Sequence, residues 1–275
     1  MSAPSAALPA GSADRPAALS GSPLARLLSG TAAMSLVEWR KLKHNQLDLL
    51  TRSVQPLLWL FVFGTALENL HAVPTGGISY RAYIAPGIMA QAAMFVAIFF
   101  GLAVIWERDV GQLQRLLATP LPRSALVLGK AAGASTRALV QAVALLVVIA
   151  IAGIGLRWSV LGVAGALVLL AIGTAAFACM SMAIASLVKE RERFMGIGQL
   201  VMMPLFFASS ALYPLAVMPG WLHVVARVNP LTYEVEGLRG FLLGGGHPGL
   251  DLLVTLGWLI VFAMAATRAY PKAIL

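Results

Sequence analysis

Charge is what this chain has least of. Lysine, arginine, aspartate and glutamate make up 11% of its 275 residues, against about 25% in soluble domains. With 59% hydrophobic residues, one soluble core cannot hide the apolar surface, so the chain reads as a polytopic helical membrane protein. Its apolar runs are continuous rather than alternating, which argues against a β-barrel. A single cysteine, Cys179, excludes an internal disulfide and a cysteine metal cluster. The four histidines (His44, His71, His223, His247) are scattered, without metal-ligand spacing. No phosphate loop is present: Gly129-Lys130 lacks the upstream glycine and is followed by Ala131. There is no nucleophile-elbow pentapeptide. Apart from Asp251 at the outer edge of the last, the apolar runs carry no acids, which argues against a proton relay. These absences leave a channel, a transporter subunit or a membrane scaffold, with no catalytic residue and no metal or other cofactor on this chain. The net charge of +9 reads as basic residues held on one side of a membrane rather than as a nucleic-acid surface.

What is present is a series of apolar runs bounded by charges. Residues 1–30, rich in Ala, Ser, Pro and Gly, lack a signal-peptide core and read as a disordered cytoplasmic tail. Residues 31–275 read as one transmembrane domain. The spacing predicts six spans: a short one after Arg52, then Tyr83 to Trp106, Ala131 to Ile154, 160–187, 194–213 and Leu250 to Thr267. Before the first, residues 34–52 place Leu36, Trp39, Leu42, Leu47 and Leu50 largely on one side. This predicts a helix lying along the inner membrane surface. Pro214, Pro219 and Pro230 forbid one continuous helix after the fifth span, and a re-entrant or interfacial helical hairpin is expected before the last span. The fold class is therefore all-α.

Orientation follows from the basic residues. With the N-terminus inside, fifteen are cytoplasmic or near it, leaving aside Arg137 close to the same side. Four (Arg81, Arg157, Arg227, Arg239) lie outside. This places both termini in the cytoplasm of a multi-pass protein of the inner (plasma) membrane.

The loop after the second span, "WERDVGQLQRLLATPLPRSALVLGK" (106–130), is the densest island of charge. Leu113, Leu116 and Leu117 follow i, i+3, i+4 spacing, giving a short helix with one apolar stripe. Pro120 and Pro122 then stop it. Gripped by a soluble protein, such a helix is a lever on two spans. Resting on headgroups, it is a mere connector. The spacing leaves both open.

Two stretches carry a resemblance that covers most of the chain from about residue 35. "ERDVGQLQRLLATPLPRSALVLGK" and "PLFFASSALYPLAVMPGWLHVVARVNPLTYEVEGLR" resemble the ABC-2 type (type 2 ABC exporter) permeases, which include daunorubicin-resistance and nodulation-export membrane subunits. The positions that match are Glu107, Arg108, Asp109, Gly111, Leu113, Leu117, Pro120, Arg123, Gly129 and Lys130 in the first. In the second they are Pro214, Pro219, Trp221, Asn229, Pro230, Leu231, Tyr233, Glu236 and Arg239. Asp109 stands where the family often has Glu, Gln112 where it often has Thr, and Ser210 where it often has Gly. The resemblance implies a dimer, or a pairing with a related permease, in membrane lipid. Each half would bind a separate ABC ATPase subunit that holds ATP and Mg. It implies coupling to that ATPase through Glu107, Arg108, Gly111, Leu113, Leu116, Leu117 and Pro120, completed by the helix at 34–52. An extracellular gate would comprise Pro214, Pro219, Trp221, Asn229, Pro230 and Tyr233. Phe95, Phe99, Met202, Phe206 and Phe207 are expected on the path of an amphipathic substrate such as a drug, antibiotic or lipid-like molecule. Polysaccharide or lipo-oligosaccharide export by the same mechanism, and a secondary transporter working without an ATPase, are the alternatives.

Overall fold

The computed structural model describes residues 29–33, 35–36, 53–70, 73–117, 122–188 and 190–270. Nearly all of the expected tail (1–30) and interfacial helix (34–52) lie outside these, as does Pro120. Among the described residues the secondary structure is helical, with no strand.

The elements follow the runs read from sequence. Helix α1 covers residues 53–70, with a π-helical turn at Trp59–Phe63 and an α-helical end at Gly64–Leu70. Helix α2 is Tyr80–Asp109, α3 Gln112–Leu117, α4 Arg123–Ile151, α5 Val160–Leu187 and α6 Arg191–Phe207. A 3₁₀ turn, Leu215–Val217, leads to α7, Gly220–Val228, then α8, Pro230–Leu242, and α9, Pro248–Ala269. Four of these, α2, α4, α5 and α9, are long and apolar enough to cross a membrane. At about 1.5 Å per residue the shortest, with 22 residues, still exceeds a hydrocarbon core of about 30 Å.

Their ends obey local chemistry. The Ser79 hydroxyl accepts from the Ala82 N–H at the start of α2, and Ser159 accepts from Gly162 at the start of α5. Asn229 caps α8, whose first residue is Pro230, with φ preset for a helix. Basic residues do not stop helices, so α2 runs through Arg108 to Asp109 and α4 starts at Arg123, eight residues before the expected Ala131.

Helix α5 is the hub, packing against α2, α4, α8 and α9. The core it organises includes Ile88, Met94, Leu126, Leu145, Leu169 and Phe177, all buried. Helix α9 turns Leu253, Leu256, Ile260, Val261 and Met264 outward, as a helix facing lipid does. Helix α6 lies against α2 and ends early: Pro204 sits in its last turn, and the chain from Ala208 to Pro219 is irregular apart from the 3₁₀ turn.

Candidate functional site: the two ends of helix α2

Helix α2 has 30 residues, and both candidate regions hang from its ends. At the Asp109 end, α2 stops because Gly111 takes a positive φ of 70°, and α3 leaves at once. Leu113 is 0% exposed, which seats α3 against the bundle. Leu116 and Leu117 lie in the same short helix. Above it, the Lys130 ammonium of α4 donates to the Glu107 carboxylate of α2. Both groups are buried, and buried opposite charges of this kind must be paired. Tyr270, just past α9, is also fully buried in this region.

Around that pair lies a more exposed set. Arg191 of α6 donates to Asp109 at 2.9 Å, and its guanidinium sits 4.2 Å from the centre of the Trp106 ring. Arg108 donates to the Val188 carbonyl at 3.3 Å. The ends of α2, α4, α5 and α6 are thereby tied together where α3 emerges. Of the residues expected to couple, Glu107, Arg108, Gly111 and Leu113 converge here.

The Tyr80 end works differently. Arg239 of α8 is buried and donates to the carbonyls of Ser210 at 2.5 Å, Ala211 at 3.2 Å and Tyr83 at 3.2 Å. It also pairs with Glu236 at 3.0 Å and stacks 3.7 Å over Tyr83. The Tyr80 hydroxyl donates to the Leu212 carbonyl at 2.9 Å. Asn229 donates to the carbonyls of Leu205 at 2.7 Å and Ala208 at 2.8 Å. These carbonyls are the orphans that the end of α6 leaves behind. The segment also presses on α2: a Cβ at Gly87 would lie 2.4 Å from the Ala211 carbonyl oxygen. Among the expected gate residues, Asn229 and Pro230 are buried in this knot. Trp221 of α7 is 71% exposed, and the Tyr233 hydroxyl closes a local bond to the Arg227 carbonyl at 2.6 Å. Pro214 and Pro219 flank the 3₁₀ turn. Ala208, Ser209 and Ser210 are buried within this chain.

Between the two ends runs an apolar groove of about 190 Å³ between α2 and α6. Phe95, Phe99, Met202 and Phe206 line it together with Gln91 and Gln199. Phe207 is outside it and packs edge-on against Phe206, 5.4 Å between centroids. Across Phe95 and Phe99 lies a second groove, bordered by Gln55, Gln91 and Gln141. Met89 points into the core and is 2% exposed. Among the described residues no cluster of His, Cys, Asp and Glu suits a metal ion.

Sequence reading left Asp109, Lys130 and Arg239 as matched positions and gave no role to Tyr80, Tyr83 or Arg191. The sequence reading began this run at Ala131 and so left Lys130 outside it; in the structure it lies well inside α4, a place where a charge requires a counter-charge.

Comparison with known proteins gives the family. The profile described as "ABC-2 type transporter" matches residues 31–243. Nodulation protein J of Rhizobium leguminosarum bv. trifolii is 31% identical over 228 residues, covering 82% of this chain and 84% of that protein. A putative transport permease, ycf38, of Porphyra purpurea is 29% identical, covering 76% and 72%. The daunorubicin resistance ABC transporter permease protein DrrB1 of Streptomyces coeruleorubidus is 25% identical over 238 residues, covering 84% and 83%. With a family profile spanning most of its length, this chain belongs to the ABC-2 type transporter family.

Proposed function

We propose that the chain is the membrane subunit of an ABC exporter, driven by ATP hydrolysis in a separate ATPase subunit. It would move a hydrophobic or amphipathic molecule out of the cell. In this reading α1 and α6 join the four long helices to make six spans, with a surface helix at 34–52 and a hairpin of α7 and α8 before the last span. Both termini face the cytoplasm of the plasma membrane, and the working unit pairs two permease halves, identical or related.

One observation carries the proposal: α3 is a separate short helix, seated by Leu113 on a bundle in which the Glu107–Lys130 pair joins α2 to α4. A push on α3 therefore reaches α2 and α4 together. The ATPase, closing on ATP, would press α3 and tilt these helices. The α2–α6 groove would then change shape, and the segment held by Arg239 and Asn229 would open as the gate. ATP shifts this equilibrium only through its different affinity for the two states.

The groove favours an apolar substrate, as drug export requires. A second reading, export of a lipo-oligosaccharide, draws on Gln55, Gln91, Gln141 and Gln199, whose amides flank the grooves and suit uncharged hydroxyl and amide groups.

Co-purification tests the coupling. Wild-type protein in native membranes is expected to retain a soluble, nucleotide-hydrolysing subunit. Leu117→Asp is expected to lose it while remaining inserted and folded. Retention of the ATPase by that variant overturns the role of α3. Full-rate transport by vesicles holding this chain alone overturns the dependence on an ATPase and favours a secondary transporter.

A further inference from the structure

Neither end of α2 uses Glu234, which lies in α8 and is 0% exposed. Neither of its carboxylate oxygens has a hydrogen-bond partner among the described residues. The side chain presses on α5 at Gly173, where a Cβ would lie 2.3 Å from the carboxyl carbon. Only glycine leaves room for it there.

The neighbouring helices bring it no cation. Helix α5 carries no ionisable side chain except Cys179. From α9 comes Asp251, which lies by Gly237, while Arg268 stands in the last turn of that helix. From α2 come Tyr80 and Tyr83, which face Leu212 and Arg239; Arg81 of α2 pairs with Glu68. On α8 itself, Arg239 is committed to Glu236 and to carbonyls, and the Tyr233 hydroxyl donates to the Arg227 backbone carbonyl. Burial alone pushes the Glu234 carboxyl well above the usual carboxylate range. An isolated buried carboxylate neutralises rather than bear its desolvation.

We propose that Glu234 is a positioning residue: a neutral carboxylic acid that seats the gate helix α8 on α5 at Gly173, and whose ionisation unseats it. The folded protein then holds one more proton than the unfolded chain between the ordinary glutamate range and the raised folded value. The contribution of this contact is full below that window and is lost as pH rises through it. This goes beyond the proposed export function, and its main test does not depend on it.

The test is thermal unfolding of the full-length purified protein from about pH 5 to about pH 9. Wild type is expected to lose about 3 °C relative to Glu234→Gln across that range, because the amide keeps the shape and cannot ionise. Glu234→Ala and Gly173→Ala are each expected to melt lower at every pH, and the double variant to lose less than the sum. Infrared difference spectroscopy supplies an independent readout should the glutamine variant fail to fold. Wild type at neutral pH is expected to show a protonated-carboxyl band that Glu234→Ala lacks. Parallel melting curves for wild type and Glu234→Gln, or absence of that band, overturn the proposal. If the ATPase co-purification fails while the melting curves diverge, the export reading falls and this one stands.

Discussion

At its Asp109 end, α2 meets charge with charge; at its Tyr80 end it meets an arginine and an asparagine that answer to backbone carbonyls. Glu107–Lys130 and Asp109–Arg191 join side chain to side chain. The buried Glu107–Lys130 pair is held because neither charge can be left alone away from water, whereas the more exposed Asp109–Arg191 pair has water as an alternative partner. Arg239, Asn229 and Tyr80 instead hold an irregular stretch of main chain. In an apolar surrounding those carbonyls have no substitute for the donors they receive. The first end joins helices through charge, and the second holds a shape that the backbone would not keep by itself.

This contrast is open to attack by substitution. The largest effect is expected for Arg239→Met, which strips donors from the carbonyls of Ser210, Ala211 and Tyr83. A loss of about 4–5 kcal/mol should appear as a collapse of the melting temperature and rapid proteolysis between α6 and α8. Arg239→Lys should not rescue it, since an ammonium lacks the planar fork. A near-normal melting temperature would mean that the carbonyls are otherwise satisfied and that the two ends do not differ in kind. Next comes Lys130→Met, expected to cost about 3 kcal/mol by leaving Glu107 as a buried charge. Adding Glu107→Leu should recover most of that stability, because apolar replacements of both members remove the desolvation cost. No double replacement at the other end should behave this way. The smallest effect is expected for Arg191→Ala. Its pair with Asp109 is about 40% and 36% exposed, so the change in stability should stay under about 1 kcal/mol and shrink further with added salt. A large, salt-insensitive loss would move Asp109–Arg191 into the same class as the Arg239 knot.

Much of the fold was legible because apolar length is a local property. The expected run 160–187 is α5, Val160–Leu187, and the other long helices differ from the reading only at their ends. Two of those differences share one cause: charges were taken as borders, so α2 was ended at Trp106 and α4 begun at Ala131, whereas Gly111 and Pro122 are the places where the backbone turns. The stripe at Leu113, Leu116 and Leu117 correctly marked a short helix, Gln112–Leu117. Contacts across the chain were not legible. Nothing near Arg239 in sequence announces the carbonyls of Ser210 and Ala211. Gly173 likewise gives no hint that a carboxyl from α8 rests on it. Acids were sought in the apolar runs, and Glu234 sits outside them, in the stretch read as a re-entrant or interfacial hairpin. It is buried by α5, a neighbour that only the tertiary fold supplies.

The knot around Arg239 also sets a timetable for biogenesis. The Ser210 carbonyl emerges from the ribosome 29 residues ahead of the guanidinium that will satisfy it. At about 5–20 residues per second the wait is about 1–6 s. Throughout that interval the stretch after α6 must borrow water or the insertion machinery for its hydrogen bonds. A nascent chain stalled between Ser210 and Arg239 should therefore remain within reach of the translocon, and release into lipid should follow only once α8 has been made.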